Sequence, residues 1–191
     1  DAIYKAANVE GYEIIMMVSE EDTDLEKTHI QTLLSMRVDG LLVSVTEETT
    51  NSDIFRQVIS NNTPLAFFDR VISDLGVTCI TSADEEGAHQ LVSCAIEHGY
   101  RHFGHIGGYQ SVSIGEQRFK GFTNALDAKG ITPEPRHLRF GGFSRKDGYN
   151  GLADMLKSGK LPEIIFAVTY PVALGILACA RDNKISIPDE L

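Results

Sequence analysis

This chain lacks a long apolar run: no stretch approaches the roughly 20 residues that a helix needs to cross a bilayer, so no membrane partner is expected. A basic excess is also missing. Seventeen Lys and Arg stand against 27 Asp and Glu, a formal net charge of -10, and phosphate backbones are gripped by clustered cations, so this segment itself is not expected to hold nucleic acid. Cysteine is scarce: Cys79, Cys94 and Cys179 are odd in number, far apart and set among apolar neighbours, which predicts buried free thiols rather than a disulfide framework and favours a reducing cytoplasm. Catalytic signatures are absent too. The six histidines are scattered without metal-ligand spacing, and neither a Gly-x-Ser-x-Gly elbow nor a phosphate loop ending in Gly-Lys-Ser/Thr occurs. Gly104-His105-Ile106-Gly107-Gly108 misses the dinucleotide spacing. No catalytic residue, metal or cofactor is expected. The N-terminus shows no basic region followed by an apolar run, but the chain opens at Asp1 without a Met, so either end is expected to have been cut.

What is present is an alternation of two periods. Apolar residues at helical spacing, with capping signals, predict helices over 1–9, from Asp22 or Thr23 to Met36, over 52–61 and over 84–98, then around Phe119 to Leu126, Tyr149 to Leu156 and Ala173 to Ala180. Their inward stripes include Ile30, Leu33 and Leu34; Ile54, Phe55, Val58 and Ile59; Ala88, Leu91, Val92 and Ala95; and Ile176 and Leu177. Continuous apolar runs predict buried strands at 12–18, 41–45, 65–68, 102–106 and 163–168, with a short extended piece at 77–80. Gly11, Gly99 and Gly130 sit where left-handed helix caps belong. Strands buried on both faces and interleaved with amphipathic helices indicate an α/β, doubly wound parallel architecture. The polar, non-periodic stretch from Asp69 to Asp84 suits a boundary between two lobes.

In open parallel sheets, ligands sit beyond the C-terminal strand ends, where loops and helix N-termini converge. Asp69 follows one strand directly, and its carboxylate could accept hydrogen bonds from vicinal hydroxyls; the plainer reading is a turn Asp paired with Arg70. Arg118, near the start of a helix after a Gly-rich loop, could bring a guanidinium fork to a ligand; the plainer readings are an exposed helix charge or a lobe-to-lobe salt bridge. Phe143, after Gly141 and Gly142, could pack on a sugar or base ring or fill core. Tyr170 lies past the 163–168 strand and before Pro171, which suits a first helical turn, and either lines the site or caps the strand.

The order of short segments is specific. Arg37-Val38-Asp39-Gly40-Leu41-Leu42-Val43, Pro64 to Arg70, Glu86-Gly87-Ala88, His98-Gly99-Tyr100-Arg101-His102, Ile106-Gly107-Gly108, Arg118-Phe119-Lys120-Gly121-Phe122, Gly142-Phe143, Ile165 to Val168, Ala173 to Leu177 and Ile185 to Leu191 follow one another at family distances. Together they resemble the effector domain of the LacI/GalR transcription regulators across essentially all 191 residues. The resemblance implies a two-lobed periplasmic-binding-protein-like (type I) fold, with residues 1–81 as the N-terminal lobe lacking its first strand and 82–191 as the C-terminal lobe lacking its closing strands. It further implies a carbohydrate or related small-molecule effector bound between the lobes, a homodimer, cytoplasmic location, and operator DNA read through an N-terminal helix-turn-helix domain absent from this chain. Matched by position, the ligand contacts fall on Asp69, Arg118 and Phe143, with Ser111 or Ser113 in the loop before Arg118. The family's Asn-Asp or Thr-Asp pair reads Thr169-Tyr170 here, which replaces part of a polar clamp by an aromatic ring. A periplasmic sugar-binding protein of an ABC-type uptake system shares the architecture and is the alternative.

Overall fold

A computed structural model describes residues 2–47, 49 and 52–191, and divides the chain into two compact units. The first comprises 1–67 and 72–79; the second comprises 68–71 and 80–191. Asp1, the start of the first expected helix, lies outside the described residues.

In the first unit, β1 (Leu41–Val43), β2 (Leu65–Phe68) and β3 (Thr78–Ile80) lie in that order, with β1 and β2 parallel and Leu41 opposite Leu65. Helices α1 (Ala2–Val9), α2 (Thr23–Ser35) and α3 (Asp53–Ser60) accompany them. Asp22 caps α2 as expected, accepting from the amides of Asp24 and Leu25 at 2.9 Å each, which satisfies donors that the helix itself cannot. The core of this unit includes Ile30, Leu41, Ile54, Phe55, Val58 and Phe67, with Phe55 and Phe67 meeting edge to face at 5.1 Å.

In the second unit, β4 (Phe103–Gly107) is central between β5 (Leu138–Phe140) and β6 (Ile164–Ala167), all parallel. Every residue of β4 is buried, as a central parallel strand covered on both faces requires. Helices α4 (Asp84–Glu97) and α5 (Ser113–Asp127) pack together, as do α6 (Arg145–Lys157) and α7 (Tyr170–Asp182). Close helix packing is set by small residues. A Cβ on Gly121 would lie 2.2 Å from the Glu85 carbonyl of α4, and one on Gly148 or Gly175 would strike the facing backbone of α7 or α6 at 2.0 Å. Gly99 and Gly130 end α4 and α5 with φ of 99° and 65°, as their positions predict.

Several expectations fail. The apolar run 12–18 forms no strand: among the described residues no strand pairs with it, and Ile15, Met16 and Val18 are exposed, because an apolar sequence without a ladder partner has nothing to be buried against. Strand β5 was not expected; it is three residues long, carries Arg139 at its centre and follows a 3-10 turn begun by Pro135. Leu91 is 60% exposed, and Ile59 and Leu177 also face outward, since each lies at the rim rather than the centre of its helix's apolar stripe. Of the three free thiols only Cys179 is buried. Cys79 lies on β3, whose three residues are all exposed, and Cys94 turns away from the inward pair Val92 and Ile96.

Candidate ligand site at the strand ends

Because β4, β5 and β6 are parallel, their C-terminal ends at Gly107, Phe140 and Ala167 share one edge of the sheet. Phe143 stands just beyond β5, and its ring lies over Gly108: a Cβ there would be 2.0 Å from the Phe143 Cε1 atom. Glycine at 108 is thus the seat of the ring. Tyr109 meets the same ring edge to face at 6.3 Å, and the Arg70 guanidinium lies over it at 5.8 Å from the centroid. Thr169 holds the segment from behind, its hydroxyl donating to the Phe143 carbonyl at 3.3 Å. The result is a half-buried aromatic platform fixed on several sides.

Arg118 is on the first turns of α5. Its Nε and Nη2 both reach Asp84 Oδ1 at 2.8 Å, and its Nη1 donates to the Val168 carbonyl at 2.5 Å. Three of the five guanidinium donors are thereby used, tying α5 to the start of α4 and the end of β6; two remain. The ion pair of Arg118 lies within this unit, rather than bridging two lobes or leaving an exposed helix charge, and the group stays 27% accessible. Asp69 adopts φ of 62°, a left-handed conformation that Asp tolerates better than most residues, and its amide donates to the Ile80 carbonyl at 2.9 Å. Its exposed carboxylate has no partner among the described residues, so the turn pairing with Arg70 is not formed.

Tyr170 opens α7 with Pro171 beside it and is 75% exposed. Ser111 is exposed, while the Ser113 hydroxyl, in the first turn of α5, is inaccessible and finds no partner among the described residues. Neither α5 nor α7 has a side-chain cap, so both present free backbone donors at this sheet edge. Among the described residues no group of three or more His, Cys, Asp or Glu could hold a metal, and no helix is long and apolar enough to cross a membrane.

His105 escaped the sequence reading. It is fully buried on β4, stacked on Phe119, Phe122 and Phe166 at 5.1–5.5 Å, with Phe140 at its edge. Nδ1 lies 2.9 Å from the Phe166 carbonyl and donates to it, whereas Nε2 has no partner among the described residues. Burial pushes its pKa down from 6.5 to about 4, against the opposing pull of the Phe166 hydrogen bond. Glu26 was likewise missed. It is buried on α2, with Oε1 accepting from the Thr46 amide at 2.9 Å and Oε2 from the Thr49 hydroxyl at 2.8 Å, which clamps the loop after β1. A 350 Å³ groove lined by Gln31, Leu34, Ser35, Gln57 and Asn61 lies on the last turns of α2 and α3 in the first unit.

The chain is similar to known proteins in sequence and in fold. The repressor PurR of Actinobacillus pleuropneumoniae serotype 3 is 25% identical over 183 residues, covering 95% of this chain and 54% of the relative. The fructose operon regulatory protein of Vibrio cholerae is 26% identical over 168 residues, covering 87% and 50%. The chain thus spans about half the length of these relatives. Among solved structures, the Cra transcriptional dual regulator of Pseudomonas putida in complex with fructose 1-phosphate superposes with a TM-score of 0.85 at 23% identity, covering 94% of this chain and 66% of that one. The transcription regulator CcpA of Lactococcus lactis gives 0.87 at 20% identity, covering 99% and 68%. These likenesses establish the periplasmic-binding-protein-like fold, α/β with parallel sheets and helices. A family model for periplasmic binding proteins and the sugar-binding domain of LacI regulators matches residues 1–191, and the chain belongs to that family.

Proposed function

We propose that the chain is the ligand-sensing domain of a LacI/GalR-type transcription regulator. A sugar or related small metabolite binds at the strand-end site of the second unit, and its binding alters operator affinity through a helix-turn-helix domain outside this chain. Asp69 accepts from ligand hydroxyls, the two remaining donors of Arg118 reach ligand oxygens, and Phe143 carries the ring. Thr169 and Tyr170 border the platform at the start of α7, Ser111 from the loop before α5 and Ser113 from the first turn of α5. The regulator acts as a cytoplasmic homodimer, and no bond is made or broken. The observation that carries this reading is the Phe143 ring seated over Gly108 with the Arg70 guanidinium over it, at the sheet edge where parallel folds bind ligands. The relatives' names, all regulators, favour it over an uptake protein.

The test is calorimetry of the full-length protein against sugars and nucleosides, followed by operator binding with and without the ligand found. Phe143→Ala and Arg118→Ala should each weaken that ligand about tenfold or more, the equivalent of about 1.4 kcal/mol. Unchanged affinity in both variants would remove the site assignment.

A further inference from the structure

Two side chains that the ligand site does not use stand together at the far end of α4. Cys94 and His98 are four residues apart, so the helix sets both on one outward strip, and both are exposed. Cys94 Sγ lies 3.7 Å from His98 Nδ1. That separation has chemical meaning. A thiolate and an imidazole bound to one zinc-class ion, at about 2.3 and 2.0–2.1 Å, stand about 3.6 Å apart when the angle between them is tetrahedral. The pair thus already holds the spacing of two metal ligands, with the helix as a rigid frame between them. Its surroundings suit a cation as well. The C-terminal end of a helix is the negative pole of its dipole, α4 has no basic residue in its last turn, and Glu97 adds a carboxylate to that turn, while Arg101 is turned to the Ile96 and Tyr100 carbonyls. The strand-end site is remote from this pair: Cys94 lies about 15 Å along the helix axis from Asp84.

We propose that Cys94 and His98 form a surface site for a thiophilic cation of the Zn2+ class, chelated by Sγ and Nδ1, with water in the remaining positions. Without the ion, Nδ1 carries a proton and donates to the Cys94 carbonyl at 2.8 Å. As the ion binds, that proton is exchanged through water for one on Nε2 and the thiol releases its own to solvent, so about one proton leaves for each ion taken up. The Cys94 carbonyl keeps its bond from the His98 amide at 3.1 Å. Two protein ligands leave the ion exchangeable, unlike a structural site, which takes four. Binding ties the last turn of α4 across residues 94 and 98 and thereby stabilises the helix end ahead of Gly99. One Cys and one His make no cluster in a linear sequence; the helix makes them a chelate.

The experiment is titration of the reduced, metal-free full-length protein with Zn2+ and with Cd2+, whose bond to a thiolate is read in the ultraviolet. Wild type should take up one ion per chain at this pair, release about one proton with it, and melt at a higher temperature with Zn2+ than without. Cys94→Ser and His98→Ala, both at exposed positions, should each weaken the ion about tenfold or more and cancel the rise in melting temperature. Cys79→Ser, at the other exposed thiol, should change neither. Metal binding that survives both variants would overturn the proposal, and so would an affinity lost in Cys94→Ser but unchanged in His98→Ala, the mark of a lone thiol. No uptake at millimolar Zn2+ would overturn it too. Sugar affinity should be the same in all three variants, so the outcome is separate from that of the sensor reading.

Discussion

His105 is a neutral imidazole enclosed by phenylalanines, and its environment fixes how it responds to acid. The carboxylates of Asp84 and Glu85 on the neighbouring helix pair with Arg118 and Lys120, and burial outweighs the Phe166 hydrogen bond, so no counter-charge favours its protonated form. Its folded pKa near 4 lies below the ordinary 6.5, so between those values the unfolded chain binds the extra proton. Stability from this residue is therefore complete above pH 6.5 and falls as the pH drops toward 4, by about 3 kcal/mol in all. His105→Phe, which keeps an aromatic ring in the stack, should flatten that part of the profile. Denaturant midpoints between pH 7.5 and 4 for both proteins check it, and parallel curves would show that other groups cause the acid sensitivity.

At the scale of elements, α2 does more than cover a sheet. Glu26 faces inward from its first turn and holds the loop that follows β1, and Glu21 adds a 2.8 Å bond to the Glu47 amide. Glu26→Ala leaves the Thr46 amide without its acceptor in a buried position and should cost about 3 kcal/mol, with Glu26→Gln recovering about half. Amide exchange at Thr46 should accelerate in step with the lost stability; a loop as protected as in the wild type would mean that Glu26 is not its anchor. This clamp was illegible in the sequence because a Glu in a first turn reads as a response to the helix dipole, and only the fold brings residue 46 to it. The parallel strands were legible for the opposite reason: β1, β2, β4 and β6 announce burial on both faces through continuous apolar runs. The same signal misled at 12–18, where apolarity has no partner to pair with, and was too faint at β5, where three residues surround an Arg. Phe143 and Arg118 were reachable from their places after strands, whereas the Gly108 seat, the Asp84 partner and the Arg70 contact depend on distances that a linear sequence does not carry.

For the whole molecule, charge is the uneven quantity. Lys5, Lys27, Arg37 and Arg56 are the only Lys and Arg of the first unit, so nearly all of the net charge of -10 falls there, while the second unit is close to balanced. Like charges in one small body repel, and salt screens them over a Debye length of about 10 Å at 0.1 M. Lowering the salt to about 10 mM should therefore destabilise the first unit selectively, by on the order of 1 kcal/mol. Hydrogen exchange resolved by residue at two ionic strengths checks this, and equal responses in both units would count against it.

Arg118 also has a mechanical meaning. The carboxylate it grips, Asp84, opens α4 only a few residues after the chain passes from the first unit into the second. Freeing Arg118 from Asp84 would thus slacken the start of α4 close to that crossing, so a single ion pair pins down the entry of the polypeptide into its second body.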